Sequence, residues 1–142
     1  GGNVELLDVA NLFLDGSSVN VNDGGSIIGG NDSELELSNA SLLQVLNGGS
    51  LSFSDNSALL SHGNSVTDVS GGGNIEFQSG ASAVITDSSQ FIVQDGGSIQ
   101  FVDSSTLQVI QSEFIVLGGG DIQFAGTGEI NIENDSSLLV DS

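Results

Sequence analysis

The chain contains no lysine, arginine, proline, cysteine, methionine, tryptophan or tyrosine in 142 residues. Each absence removes a class of function. Nucleic acid is excluded as a partner, because phosphate binding rests on Lys and Arg displacing counterions. Attraction to anionic membrane headgroups fails for the same reason, and no apolar run approaches the roughly 20 residues of a spanning helix, so no membrane insertion is expected. Without Cys there is no disulfide framework and no thiolate metal centre or nucleophile. Without Trp or Tyr, a sugar ring lacks its usual stacking platforms. The acidic content is ordinary at 13 %, so the formal charge of −19 arises from missing cations rather than from surplus anions. A chain with no Lys or Arg also offers trypsin-like proteases no cleavage site, and one with no Cys is indifferent to redox conditions. Both properties suit a secreted protein at the cell surface or in the extracellular space.

What is present is repetition. Gly-Gly pairs stand at Gly1-Gly2, Gly24-Gly25, Gly48-Gly49, Gly72-Gly73, Gly96-Gly97 and Gly119-Gly120, giving steps of 23, 24, 24, 24 and 23 residues. A fixed period of this length is the mark of a solenoid or another repeat architecture. Each unit divides into three octads with apolar residues at the fourth and sixth places. The first octads carry Val4/Leu6, Ile27/Gly29, Leu51/Phe53, Ile75/Phe77, Ile99/Phe101 and Ile122/Phe124. The second run from Leu12/Leu14 to Ile130/Ile132. The third run from Val19/Val21 to Leu138/Val140, provided one residue is dropped at a corner of each 23-residue unit. Across all three columns the only occupants that are not apolar are Gly29, Ser61 and Thr67.

A spacing of two is strand periodicity, which points both apolar residues to one face and the residue between them to the other. Asp, Asn, Ser and Gly gather at octad boundaries, as in Asp55-Asn56, Asp87-Ser88 and Asn134-Asp135. Their short side chains hydrogen-bond the local backbone and tolerate left-handed conformations. The second residue of nearly every octad is Gly, Ala or Ser, as suits a tight bend that tucks a small side chain inward. The expectation is an all-β, three-sided parallel β-helix, or β-solenoid, with three octad strands per coil. Its six coils span residues 1–23, 24–47, 48–71, 72–95, 96–118 and 119–142 of a single domain or segment. The crossover rule favours right-handed winding. Phe53, Phe77, Phe101 and Phe124 are expected to stack as an internal ladder.

Several residues invite chemistry. Asp8, Asn31, Asp55, Ser79 and Asp103 recur at one corner of successive coils, and Asp8, Asp55 and Asp103 are candidate oxygen ligands for Ca²⁺. The calcium-binding nonapeptide GGxGxDxUx is absent, and a ladder of Asx turns explains the column without any ion. No resident cofactor is therefore expected, only diffuse binding of Ca²⁺ as a counterion. Glu34, Glu36, Glu129 and Glu133 supply outward carboxylates on the second face, as a glycoside hydrolase would need. They lie on a flat wall with no long insertion to build a cleft. His62 is the single histidine, beside Ser61 and near Ser65 and Asp68, and no Gly-x-Ser-x-Gly elbow accompanies it. A solvated corner histidine is the plainer reading. Thr67, Thr86, Thr106 and Thr127 occupy four different places in the repeat, so they form no ice-ordering row. No catalytic residue is assigned and no enzyme is expected.

The outward places of the third face carry Ile92, Ile115 and Leu139 in sequence after Asn20, Gln44 and Asp68, with Leu42, Leu46 and Leu117 beside them. A run such as Phe114-Ile115-Val116-Leu117 is apolar on both sides of its strand, which fits burial on both sides. Ile92, Ile115, Leu117 and Leu139 are the candidate lateral interface. Neither end carries an amphipathic helix, Pro or Lys to blunt an open sheet edge. Both ends fall at coil boundaries, so the segment is expected to continue into a longer solenoid or to stack head to tail on copies of itself.

The Gly-Gly-x-Ile-x-Phe units and the Asp/Asn/Ser corners resemble the Gly-, Ser- and Asn-rich coils of bacterial surface β-solenoids, namely autotransporter passengers and filamentous-haemagglutinin-like adhesins. The resemblance spans the whole chain as a style of repeat. It implies a secreted stalk or fibre that mediates adhesion or matrix cohesion, with other copies of itself, glycans or surface matrix as partners. The regular three-by-eight coil and the lack of cations depart from those families, and a fibre-forming matrix protein matches as closely. The alternative from a different class is a polysaccharide-binding or polysaccharide-cleaving β-helix protein.

Overall fold

A computed structural model describes residues 2–141 and contains only strands and the turns that join them. In chain order, coil 1 holds β1 (Asn3–Leu6), β2 (Asn11–Asp15) and β3 (Ser18–Val21), and coil 2 holds β4 (Ser26–Gly29), β5 (Glu34–Ser38) and β6 (Leu42–Val45). Coil 3 holds β7 (Ser50–Phe53), β8 (Ala58–Ser61) and β9 (Val66–Val69), and coil 4 holds β10 (Asn74–Phe77), β11 (Ser82–Ile85) and β12 (Gln90–Val93). Coil 5 holds β13 (Ser98–Phe101), β14 (Thr106–Ile110) and β15 (Glu113–Val116), and coil 6 holds β16 (Asp121–Phe124), β17 (Glu129–Glu133) and β18 (Ser137–Val140). Every third strand pairs in parallel, so the molecule is a prism of three six-stranded sheets, β1 to β16 on face one, β2 to β17 on face two and β3 to β18 on face three. The three-sided β-solenoid read from the octads is the fold.

The reason lies in the alternation. From β5 to β14 each strand buries the fourth and sixth octad residues and leaves their neighbours half-buried. The inward residues of all three faces meet in one continuous core. Register is kept residue for residue, as in Phe53↔Phe77, Phe77↔Phe101 and Phe101↔Phe124. A one-residue slip would turn every apolar side chain outward, so the pattern and the register enforce each other. The coils of 23 residues keep register on both sides of the missing residue: Phe91 pairs with Phe114, and Val19 with Leu43.

Three kinds of corner separate the faces. Corner one leads into face one, corner two joins faces one and two, and corner three joins faces two and three. A typical corner places two successive residues at positive φ, such as Asn47 at 49° and Gly48 at 76°, or Asp87 at 54° and Ser88 at 62°. An N–H to C=O bond closes the turn, from Gly49 to Leu46 at 2.8 Å and from Ser89 to Thr86 at 3.2 Å. That is the pattern of a type I′ turn, and it accounts for the Asp, Asn and Gly at octad boundaries. The short coils turn corner three with a single left-handed residue, Gly16 or Gln111.

The exceptions to the apolar columns also face inward. Ser61 stands between Leu37 and Ile85, and Thr67 between Leu43 and Phe91. Both are buried, and neither hydroxyl has a hydrogen-bond partner. Gly29 lies beneath Phe53, whose ring carbon would be 3.0 Å from a Cβ placed there, so the missing side chain is the space that the ring uses.

Candidate functional site

The features with functional content lie along the axis, at the two ends and on face three. Inside face one, the rings of Phe53, Phe77, Phe101 and Phe124 stack with centroids 4.9–5.1 Å apart and planes within 9° of parallel. In-register pairing imposes this spacing, since paired strands lie about 4.8 Å apart. Burial of each ring is worth about 1.5–3 kcal/mol, and ring contact adds about 0.5–1.5 kcal/mol. Phe91 and Phe114 make a tilted contact inside face three, with centroids 5.4 Å apart and planes at 33°. The column on face one ends in the open: Phe124 is 38 % exposed, whereas Phe101 is fully buried.

Both end coils share that condition. Val4 in coil 1 is 46 % exposed and Val140 in coil 6 is 63 % exposed, although the equivalent residues of coils 2 to 5 are buried. β1, β2 and β3 pair on one side only, as do β16, β17 and β18. At the coil-1 end, an open groove of about 510 Å³ runs between β1 and β3, lined by Val4, Val19, Val21 and Ile27. Each end thus presents unpaired backbone groups around an apolar centre.

The corners set which residues can lie over one another. At corner one the second glycine that opens each of coils 3 to 6 crosses the coil below so closely that a Cβ would stand 2.0–2.3 Å from a backbone oxygen. Those glycines are Gly49, Gly73, Gly97 and Gly120, over the carbonyls of Val21, Val45, Val69 and Val93. At corner three the equivalent place is a column of serines. Ser17 N–H donates to Ser41 Oγ, and the same bond repeats from Ser41 to Ser65, Ser65 to Ser89, Ser89 to Ser112 and Ser112 to Ser136, at 3.0–3.2 Å. The sequence shows that these places take small residues. The backbone that makes one corner exclude a Cβ and another use a hydroxyl emerges only in three dimensions.

The remaining candidates divide. On face three, Ile92, Ile115 and Leu139 lie side by side in register, with Leu117 just beyond β15. Leu139 is 50 % exposed and the other three are half-buried. The strip gives way to the polar Asn20, Gln44 and Asp68 in coils 1 to 3, and the Asp68 carboxylate accepts from Gln94 Nε2 at 3.1 Å and from Gln44 Nε2 at 3.5 Å. Asp8, Asp55 and Asp103 all sit at corner two with φ of 53–59°. They occur in alternate coils, about 10 Å apart at the strand spacing, and no group of three or more His, Asp or Glu converges as a metal site among the described residues. Glu34 and Glu36 lie on β5, and Glu129 and Glu133 lie four coils away on β17. The four carboxylates are therefore not brought to one place. His62 is not simply solvated: its Nε2 lies 2.7 Å from Glu36 Oε1, one coil below. Their separation of 26 residues, one coil plus two, was the signal that could have found the pair.

The sequence matches no family model, and neither a curated protein nor a solved structure is significantly similar to it.

Proposed function

We propose that this chain is an extracellular structural protein that forms or extends a fibre or stalk by stacking coil on coil, with an adhesive or matrix-forming role. The observation that carries the reading is the pair of end coils: unpaired parallel edges around an open apolar cross-section, which only another coil of the same kind satisfies at every point. An uncovered end leaves a row of unpaired N–H and C=O groups and exposed core, which solenoids ordinarily cap. The strip of Ile92, Ile115, Leu117 and Leu139 supplies a second contact, for lateral packing between copies. The lack of Lys and Arg supports a life outside the cell, where tryptic cleavage would otherwise limit a fibre. Glycans or surface matrix are the partners of the adhesive role.

Electron microscopy and fibre diffraction of the purified chain test this reading. Filaments with a reflection near 4.8 Å along the fibre axis are expected. Compact monomers at every concentration would overturn it.

A further inference from the structure

We infer that coil 6 receives coil 1 of a second copy in one rotational register out of three, and that the glycine corner makes the selection. The inference rests on the stacking function proposed above and names its partner and geometry.

The apolar core cannot choose. All three faces present the same spacing of inward residues, so turning the upper copy by one face still lays apolar pairs on apolar pairs. The corners are not equivalent. Over the carbonyl that ends face three, a Cβ would stand 2.0–2.3 Å from oxygen in four successive junctions. Such a distance is far inside van der Waals contact, and the obstacle is backbone. Continuing that series, the residue of the docked copy that comes to lie over the Val116 carbonyl must be glycine. Coil 1 offers Gly2, Ala10 and Ser17 at its three corners, and only the unrotated register places Gly2 there.

Two independent features agree. The serine column runs upward through N–H to Oγ bonds and reaches Ser136. The next hydroxyl must come from the coil above, and in the same register that residue is Ser17. The rotated registers put Gly2 or Ala10 in its place, and neither carries a hydroxyl. Corner three of coil 1 is also short by one residue, as it is in coil 5. The junction of coil 4 with coil 5 already shows how a short corner sits above a full one, with Ser88 N–H donating to Gln111 C=O at 2.8 Å. In the unrotated register Asp135 and Gly16 repeat that arrangement. The outward carboxylates Asp121, Glu129 and Asp141 come to lie beside Asn3, Asn11 and Asn22. An axial pair of this kind exists within the chain, where Asn39 Nδ2 donates to Asp15 Oδ1 at 2.6 Å. One like-charged pair remains, Glu133 beside Asp15, so docking should strengthen as salt is added.

Gly2 gives the test its precision. In the isolated chain a Cβ on Gly2 would meet nothing within 4 Å. G2A therefore leaves the monomer's melting temperature unchanged but places a methyl against the Val116 carbonyl of the docked copy. Sedimentation across a concentration series should show self-association weakened at least tenfold. The absence of native cysteine allows a direct reading of register. N20C mixed with L139C should cross-link under mild oxidation, because paired strands bring Cα atoms to about 4.8 Å, within the roughly 4.4–6.8 Å that a disulfide spans. L139C mixed with E5C or F13C reports the two rotated registers and should give little product. If the wild-type chain stays monomeric, the stacking function itself fails. If it associates but G2A associates equally well, or E5C or F13C cross-links as readily as N20C, stacking stands and the register inference is overturned.

Discussion

In coil 4 and the corner that follows it, corner three and corner one turn the chain alike, with left-handed Asp87-Ser88 and Asp95-Gly96 and with Ser89 N–H and Gly97 N–H closing onto Thr86 and Gln94 C=O. Yet one corner admits only glycine where the other keeps serine. The turn itself cannot explain the difference, because the distinguishing residue follows the turn and needs no positive φ in Gly49, Gly73 or Gly97. What differs is the coil beneath. At corner one a carbonyl oxygen fills the space a Cβ would take. At corner three a hydroxyl can reach down, as Ser41 Oγ does to Leu14 C=O at 2.9 Å, while accepting the N–H of Ser17. In a solenoid, residue choice at a bend is thus set by two neighbours at once: the local turn fixes the two residues that make it, and the preceding coil fixes the one that follows.

The largest effect should come from breaking the tighter corner. Gly97→Ala sets a methyl 2.1 Å from the Val69 oxygen, and relief requires the backbone of a whole coil to shift. A loss of about 3 kcal/mol or more is expected in denaturant unfolding. Ser89→Ala makes the comparable change at corner three: it removes the acceptor for Ser65 N–H without a clash, at about 1–2 kcal/mol. Equal losses for the two variants would erase the distinction between the corners. The serine column can be sharpened against hydroxyls that have no partner. Thr67→Val keeps the shape of a side chain whose hydroxyl is buried and unpaired, and should raise stability by about 1 kcal/mol in the same assay. The smallest change tests the turn alone. Gln111 makes its corner at φ 51° with a side chain attached, so Gln111→Gly should be neutral or stabilising by up to about 1 kcal/mol in thermal melts.

Most of the fold was legible because a spacing of two inside eight inside twenty-four leaves one arrangement that buries every apolar pair. Even Gly29, Ser61 and Thr67 were correctly placed inward, since position in the octad outweighs residue type. The Phe ladder followed from the same columns. The exposure of Val4, Phe124 and Val140 was not legible from their octads, because it depends on whether a coil lies against them rather than on anything local. The strip of Ile92, Ile115 and Leu139 was readable as a row from alternation alone. The link from His62 to Glu36 was missed because the corner was read along the chain, whereas the partner lies diagonally across the ladder. The serine column was seen only as a run of small residues. Its donors are main-chain N–H groups, and their aim is a property of the turn that a sequence does not spell out.

The bonds of that column all point one way: each N–H gives to the hydroxyl of the following coil, with none returned along the same line. The molecule is therefore a vector, with a head and a tail of different chemistry. Any filament that prolongs the column inherits the arrow. Its two tips cannot grow by the same reaction, since one offers hydrogen-bond donors awaiting hydroxyls and the other offers hydroxyls awaiting donors. Labelled chains added to preformed seeds would then lengthen the two tips at unequal speeds, which gives a surface that anchors only one kind of tip control over the direction in which the structure extends.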